Sequence, residues 1–284
     1  MINKRRADQD RREMEGYRKF QQFFLDRYRE ELKELLQKTG RDLHYSLDFN
    51  FKELLDFDKD LADYFMLNPD QCLDWAEIGL YQAQNSIFEK VKPKFRAQEI
   101  WDDGHGKITM KKAKPRLCGN LMYENMVRET VSDIRSADVD NIIQIRGTVI
   151  RQSKAKLMEI SRKYKCQSCG YQFEVFAEKE RDVEFPKICR NGQKVCKSKK
   201  FQPIPDTSTT IDYQEIYVQE QIHKLGLGKI PRSIRVTLTC DLSDSCQPGD
   251  DVVIIGIVRY HWAKYKCHPQ FGIILVWVRF PIEE

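Results

Sequence analysis

Four cysteines in the middle of the chain have the spacing of a metal site. Two residues separate Cys166 from Cys169, and Cys189 and Cys196 follow, apart from the other cysteines of a chain that has nine. Thiolates at the first spacing can bind one metal ion from a tight backbone turn, and a second pair completes a tetrahedron, which is the geometry of a closed structural zinc site. The sequence therefore predicts a zinc ribbon that holds one structural Zn²⁺ through these four residues.

The residues between the two pairs favour this interpretation. Gly170 ends the turn, and apolar residues then alternate in the manner of a hairpin strand, at Tyr171, Phe173 and Val175. Six residues separate the second pair, against the usual spacing of about two to four. Two unligated surface thiols are the alternative for that pair, and we disfavour it because half a site is rarely stable alone.

The composition indicates a reducing compartment. The chain has 284 residues, of which 41% are hydrophobic and 32% charged, with a net charge of +5. Residues 1–12 are charged throughout and contain no apolar run, so we expect no signal peptide. The cysteines are then thiols or metal ligands rather than disulfides. The apolar run at 252–258 is too short to span a bilayer, and we expect no membrane contact.

The elements that position the cysteines fall into two parts. Residues 1 to about 115 have helical periodicity, with one helical face that runs from Tyr17 to Leu36, a second helix near 54–65 and a third opened by Pro69. A basic stretch, 107–116, is either a nuclear signal or a linker, and we favour the linker. Further on, alternating patterns predict strands at 141–150, 157–165, 211–219, 234–238, 251–259 and 271–280. Six strands over this length are typical of a small Greek-key barrel.

Motifs for catalysis are absent from the chain. There is no P-loop, no H-E-x-x-H and no deaminase pairing of H-x-E with P-C-x-x-C, and the five histidines are scattered. We therefore predict no catalytic residue in this chain.

Basic and aromatic residues alternate along the strands. From 252 to 282 there is no acidic residue, and rings stand among the cations. Cations that neutralise phosphates beside rings that stack on bases are the composition of a barrel that binds single-stranded DNA. The alternative, equally weighted for the rings, is that they fill the barrel. The predicted DNA-binding residues are Arg146, Arg151, Lys154, Lys156, Arg259, Lys264 and Lys266.

Four segments together resemble the N-terminal domain of minichromosome maintenance (MCM) DNA helicase subunits. They are RGTVIR at 146–151, DYQEIYVQE at 212–220, IPRS at 230–233 and DLSDSCQPGD at 241–250. The order matches the family from about residue 15 to the end of the chain. His44-Tyr45 and Trp262 with Lys264 are most similar to the ninth paralogue, in the recombination and crosslink-repair branch.

The resemblance implies an α+β multidomain fold, in which a helical bundle precedes an oligonucleotide-binding (OB) barrel with an inserted zinc ribbon. The implied boundaries are 1–115 for the bundle (subdomain A), 116–165 and 206–284 for the OB-fold, and 166–205 for the ribbon. Segment 259–271 is similar to the family's channel hairpin. Segment 222–232 is similar to the loop that couples the barrel to a motor, with its key residues at Leu225, Gly226, Leu227, Gly228, Pro231 and Arg232.

The resemblance also implies a role in homologous recombination and repair in the nucleus. The expected partners are DNA and other MCM subunits, above all the eighth paralogue, in a hexameric ring. ATP and Mg²⁺ would bind only in a motor domain that this chain lacks. Three alternatives stay open: a replicative MCM subunit, a stand-alone OB-fold and zinc-ribbon protein without a motor, and a zinc-ribbon interaction module in transcription.

Overall fold

The computed structural model describes residues 2–38, 44–91, 113–119, 121, 123, 126–177, 185–191, 196–205, 207–222, 228 and 230–259, and for 2–13 and 90–91 it describes the backbone alone. The structural statements below concern these residues. No helix among them is long and apolar enough to cross a membrane.

The N-terminal part is helical, as the periodicity predicted, but it has five helices where three were predicted. Their bounds are α1 Ile2–Arg27, α2 Arg29–Gln37, α3 Phe51–Phe57, α4 Lys59–Leu67 and α5 Pro69–Val91. The face predicted as one helix is broken at Tyr28, whose hydroxyl accepts a hydrogen bond from the backbone N–H of Asn50 at 2.9 Å. The Asn50 side chain caps α3, and the Asp58 side chain caps α4. Pro69 opens α5, as expected for a residue without an N–H donor.

Aromatic side chains fill the core of this helical part. Phe23 contacts Phe24, Tyr28, Phe49 and Phe57, with ring centroids between 5.4 and 6.1 Å apart. Edge-on and tilted ring contacts of this kind add to the free energy of burying the apolar surface. The amphipathic pattern of the first helix thus becomes the centre of the bundle.

The basic stretch predicted as a linker contains a strand. β2, Ala113–Cys118, pairs in parallel with β1, Tyr45–Asn50, while 107–112 lie outside the described residues. The linker prediction is therefore wrong for 113–116. The reason is that Arg116 is buried among distant partners. Asp241 neutralises its guanidinium, and the carbonyl of Thr239 accepts a hydrogen bond from it. This strand crosses the predicted domain boundary at 115/116, and the boundaries stay a prediction.

The C-terminal part is one mixed sheet. Its strands are β3 Val127–Arg128, β4 Ile142–Gln152, β5 Lys156–Cys166, β6 Gln172–Phe176, β7 Phe201–Pro203, β8 Thr209–Gln219, β9 Ser233–Thr239 and β10 Asp251–Ile257. The main order is β10-β4-β8-β5-β6, with β3 on β4, β7 on β5 and β9 on β8. Five of the six predicted barrel strands are confirmed, and the sixth, 271–280, lies outside the described residues.

Within the described residues the sheet stays open. β9 pairs with β8 alone and β10 pairs with β4 alone, so the ladder does not close into the barrel that the sequence predicted. Alternate residues of β4, β8, β9 and β10 nevertheless build one buried apolar core, which includes Ile145, Ile216, Val236 and Ile254. The other face of β4 and β10 is covered as well, because Ile142, Ile255 and Ile257 pack into the core of the helical part.

One glycine and one glutamine of the family motifs, Gly147 and Gln214, lie at core positions of the sheet, and the structure shows why each is needed there. A Cβ on Gly147 would lie 2.5 Å from the carbonyl oxygen of Gln219, so only glycine fits where β4 passes β8. Gln214 is fully buried, and its amide bonds to the carbonyl of Ser153 and to both the side chain and the N–H of Asp244, at 2.8 to 2.9 Å. Because every bond of this amide is satisfied, it joins two loops of the sheet at low cost.

Candidate metal centre and nucleic-acid interface

The structure brings the four predicted metal ligands together. All four Sγ atoms lie within 4.8 Å of one another. The Sγ of Cys166 lies 3.9 Å from that of Cys196, and the Sγ of Cys169 lies 3.6 Å from that of Cys189. A tetrahedral zinc ion with Zn–S bonds of about 2.3 Å requires sulfurs about 3.8 Å apart. The second pair is therefore not a separate pair of surface thiols, and the four residues fit a single zinc ion.

Backbone hydrogen bonds set this geometry. Cys166 ends β5, its N–H donates to the carbonyl of Tyr171, and the N–H of Gly170 donates back to the carbonyl of Cys166 at 3.0 Å. Gly170 has a φ of +71°, a left-handed conformation that glycine adopts without strain. The N–H of Cys189 donates to the carbonyl of Ser198, which joins the two segments of the second pair. The N–H of Gln167 donates to the carbonyl of Lys200, which joins the second of these segments to the turn of the first pair.

The electrostatics of the cluster favour a cation. A hydrogen bond from the backbone N–H of Cys169 lowers the pKa of Cys166 to about 6, whereas burial raises the pKa of Cys189 to about 12. The sulfur of Cys166 is thus readily a thiolate, whereas that of Cys189 resists ionisation beside it. A bound divalent cation reverses this resistance, because a coordinating thiol is deprotonated by the metal charge.

A small aromatic shell surrounds the cysteines. Tyr164, Phe173 and Phe201 pack on the cluster, and the rings of Phe173 and Phe201 meet edge-on with their centroids 5.5 Å apart. Five buried residues make up this core, one of which is Cys166 itself. A core of this size is too small to stabilise a domain alone.

Four of the predicted DNA-binding cations lie on β4, on β5 and in the turn that connects them. Arg146 lies on β4, Arg151 near its end, Lys154 in the connecting turn, and Lys156 at the start of β5. The last three are exposed. The two strands pair with successive parts of β8 rather than with each other, and we call residues 151–156 the β4–β5 connection. Among the described residues, no carboxylate lies within ion-pair distance of any of the four cations, so the connection presents uncompensated positive charge beside β8.

An aromatic residue that the sequence reasoning passed over lies beside these cations. The guanidinium carbon of Arg151 is 5.8 Å from the ring centroid of Tyr217, which is the register partner of Arg151 on β8. Tyr213, on the same face, is the register partner of Lys156. A cation and a ring in this arrangement can contact a phosphate and stack on a base together. The signal was present in the QEIYVQE motif, where Tyr217 alternates with the buried Ile216 and Val218 and therefore lies on the opposite face of the strand.

Arg259 has a different role from the predicted phosphate contact. Its guanidinium forms ion pairs with Asp70 on α5 and with Asp140 before β4, and 15% of its side chain is exposed. These two carboxylates neutralise it, so it joins the helical part to the sheet. Lys264 and Lys266, the other predicted cations of this segment, lie outside the described residues.

The base of the predicted coupling loop is held by Glu220. One carboxylate oxygen accepts from the N–H of Ser132 at 2.6 Å, and the other accepts from the N–H of Arg232 at 2.9 Å. Pro231 and Arg232 form the exit of the loop, and Gly228 is exposed with a φ of +80°. Leu225, Gly226 and Leu227 lie outside the described residues. Sequence reasoning missed Glu220, although it ends the motif as a buried acid.

Replacing Glu220 by glutamine is expected to weaken the hydrogen bonds that hold the ends of the loop and so to lower the free energy of unfolding. Burial alone would raise the pKa of Glu220, but the N–H donors of Arg232 and Ser132 outweigh it and hold the pKa below its ordinary value of 4.5. The ionised group therefore stabilises the fold above that value, and the contribution is lost as the pH falls through the lowered pKa. Urea unfolding at pH 7 is expected to show a loss of about 1–3 kcal/mol in Glu220→Gln, which shrinks in acid.

The exposed Glu129 provides the matched control, because Glu129→Gln removes the same charge nearby without a buried bond. We expect it to unfold like the unmodified chain. Equal stability of Glu220→Gln and Glu129→Gln at pH 7 would contradict the assignment of Glu220 as the residue that fixes the loop.

Two family models match the chain. The model described as the MCM OB domain matches residues 130–262, which include the sheet and the cysteine cluster, and the model described as the MCM9 N-terminal domain matches residues 10–112. Together these matches include both the helical part and the sheet.

Curated relatives agree with these matches. A protein named "Probable DNA helicase MCM9" from Arabidopsis thaliana is 32% identical over 250 residues, which are 85% of this chain and 37% of the relative. One of the same name from Oryza sativa subsp. japonica is 31% identical over 81% of this chain and 34% of the relative. The protein named "DNA helicase MCM8" from Homo sapiens is 27% identical over 87% of this chain and 29% of the relative.

The chain spans about a third of the length of the curated relatives it matches. The motifs that suggested the family lie within the matched residues, at Gly147, Gln214 and Glu220 among others, and the structure gives each of these a defined physical role. The chain therefore belongs to the minichromosome maintenance family, in which it corresponds to the N-terminal region and is similar to MCM9.

Proposed function

We propose that this chain is the DNA-binding and ring-assembly region of an MCM-type DNA helicase subunit. The observation that carries the proposal is the β4–β5 connection, where Arg151, Lys154 and Lys156 are exposed without carboxylate partners among the described residues and Tyr217 of the neighbouring β8 lies beside Arg151. Cations of this kind neutralise phosphates, and the ring offers a stacking surface to a base. Single-stranded DNA is the ligand that uses both groups at once.

The cysteine cluster has a structural part in this function. We propose that Cys166, Cys169, Cys189 and Cys196 hold one Zn²⁺, since their sulfurs fit its tetrahedral radius. The ion would crosslink β5 to the two following segments and so fold the ribbon. All four positions are filled by thiolates, which leaves none open for a substrate, so the zinc has no catalytic role.

Energy conversion belongs elsewhere in the longer protein. The relatives named DNA helicases are about three times as long as the stretch they share with this chain. We assign ATP and Mg²⁺ to a motor domain in the part of such a protein that this chain does not include. The loop 222–232, whose base Glu220 holds, is the segment we propose to couple DNA binding to that motor.

We further propose a nuclear role in homologous recombination and repair, within a hexameric ring that includes a subunit similar to MCM8. The match of residues 10–112 to the MCM9 N-terminal domain supports this branch over a replicative subunit. A stand-alone binding protein without a motor is the second candidate, because the DNA-binding face alone would suit it equally.

Titration of labelled oligothymidylate with the chain at several salt concentrations tests the shared part of both candidates. The logarithm of affinity is expected to fall linearly with the logarithm of salt concentration, with a slope of about −0.7 for each phosphate contacted. Binding that is absent at low salt, or insensitive to salt, would contradict the proposal. Motor-dependent unwinding by the full-length protein would then separate the helicase from the stand-alone protein.

A further inference from the structure

Three alternate side chains of β8 form a row on one face of the sheet, namely Tyr213, Glu215 and Tyr217, which we call the β8 row. The side-chain contacts agree with a shared face, since the Tyr213 hydroxyl donates a hydrogen bond to Oε1 of Glu215 at 2.6 Å. Arg235 of β9 contacts the same oxygen, with its Nη1 at 3.3 Å. An acidic residue therefore lies at the centre of a row whose two ends are aromatic.

The β8 row lies beside the cations that we propose to bind phosphates. Tyr217 is the register partner of Arg151, whose guanidinium carbon lies 5.8 Å from the ring centroid. Next along the row, the N–H of Glu215 donates to Oγ of Ser153 at 3.0 Å, and the N–H of Ser153 donates to the carbonyl of Glu215 at 2.8 Å. These bonds hold the backbone of Glu215 against the middle of the β4–β5 connection.

The charge of Glu215 is compensated within the site. A lone carboxylate beside the phosphate contacts would repel DNA. Arg235 forms an ion pair with it, in which 28% of the Glu215 side chain and 18% of the Arg235 side chain are exposed. Because the pair is close to neutral, the cations of the β4–β5 connection keep their attraction for phosphates.

One oxygen of Glu215 is available to a ligand. Tyr213 and Arg235 both donate to Oε1, and no donor among the described residues contacts Oε2. A carboxylate only accepts hydrogen bonds and has about four positions at which it can do so. The partly exposed side chain can therefore take a hydrogen bond from a ligand that carries a donor, and it cannot donate one.

A base that stacks on Tyr217 brings its edge close to this carboxylate. Residues two apart on a strand are separated by about 7 Å along the strand. The reach of a glutamate side chain and the half-width of a pyrimidine ring together span this distance. Cytosine has a donor on its edge, the N4 amino group, which is the group that glutamate accepts from in base recognition. Uracil and thymine have a carbonyl oxygen at the same place, which gives the carboxylate no hydrogen bond.

We propose that Glu215 makes the site selective for cytosine over the other pyrimidines, by accepting a hydrogen bond from the N4 amino group of a base stacked on Tyr217. Tyr213 is a positioning residue, whose hydroxyl orients the carboxylate, and Arg235 offsets its charge. This inference rests on the proposed binding of single-stranded DNA and adds base selectivity to it.

Fluorescence anisotropy with labelled oligodeoxycytidylate and oligodeoxyuridylate of equal length measures this selectivity on the whole chain. At slightly alkaline pH the two oligomers carry the same phosphate charge and differ only at the amino or carbonyl edge of the base. We expect the unmodified chain to bind the cytidylate at least about fivefold more tightly, which is the contribution of one hydrogen bond to a charged group. Glu215→Gln keeps an oxygen for Tyr213 and Arg235 but adds an amide donor, and the preference is expected to fall to within about twofold or to reverse.

Two further variants separate base selection from a general effect on the fold. Glu129→Gln removes the same charge from an exposed position outside the β8 row, and it is expected to keep the full preference. Tyr213→Phe removes only a hydroxyl, and it is expected to reduce the preference while the affinity for oligodeoxyuridylate stays within about twofold.

Equal affinity of the unmodified chain for the two oligomers would overturn the proposal without any variant, and so would a preference that survives in Glu215→Gln. In either case binding of DNA as such would stand. If the chain binds neither oligomer at low salt, the proposed DNA-binding function fails, and base selection by Glu215 fails with it.

Discussion

Replacing Cys169 by serine is expected to abolish zinc binding and to unfold the ribbon while the rest of the chain stays folded. Structural zinc sites in small domains contribute about 10–16 kcal/mol of apparent binding free energy, which is also their folding free energy. The shell of Tyr164, Phe173 and Phe201 is too small to replace that contribution. The helical core and the sheet core contain no ligand of the site, so we expect both to persist.

The measurement combines elemental analysis with amide hydrogen exchange. One equivalent of zinc is expected in the unmodified chain and less than about a tenth in Cys169→Ser. Exchange is expected to accelerate in β6 and β7 and to stay slow in β4 and β8. Cys118→Ser is the matched control, because Cys118 is partly exposed and lies outside the cluster. A full equivalent of zinc in Cys169→Ser, or unchanged exchange in β6, would refute the site.

Removing the positive charges of the β4–β5 connection is expected to weaken DNA binding, which is the second large effect. The triple variant Arg151→Ala/Lys154→Ala/Lys156→Ala removes three exposed charges and no buried contact. We expect affinity for single-stranded DNA to fall by on the order of tenfold to a hundredfold at low salt, for every sequence alike. The salt slope is expected to become shallower by about two, since three phosphate contacts are lost at about 0.7 each.

The control removes the same charge elsewhere. Arg18, Arg29 and Lys52 are exposed on the helical part, and their replacement by alanine changes the net charge equally. If binding depends on overall charge, both triple variants lose DNA affinity alike, and the β4–β5 connection is not the DNA contact. A loss of DNA affinity only in the variant of the β4–β5 connection would locate the contact on β4 and β5.

Local signals in the sequence predicted the features that depend on neighbouring residues. The spacing of Cys166 and Cys169, the alternation along β4, β5, β8, β9 and β10, and the periodicity of the helices all appear within a few residues of chain. Each such pattern has a direct physical cause in the geometry of a turn, a strand or a helix. The strands were found close to their observed bounds, whereas two of the predicted helices are each divided in two, at Tyr28 and at Asp58.

Features that depend on distant partners could not be predicted in this way. β2 has Lys114 and Arg116 and reads as a linker, because the strand that pairs with it ends at Asn50 and the carboxylate that neutralises Arg116 is Asp241. Arg259 reads as a DNA contact for the same reason, since Asp70 lies far away in the sequence. Charge in the sequence does not show whether its partner is a phosphate or a distant carboxylate.

Photocrosslinking tests most directly whether single-stranded DNA binds beside Tyr217. Oligothymidylate with iodouracil in place of thymine forms a covalent bond with an aromatic side chain that stacks on the iodouracil, and mass spectrometry identifies the residue. We expect a crosslink at Tyr217, which is half-buried and lies beside Arg151 on β8. We also expect the crosslink to disappear in high salt and in the triple variant of the β4–β5 connection. Crosslinks confined to residues outside β4, β5 and β8, with DNA bound and Tyr217 unmodified, would contradict DNA binding at this face.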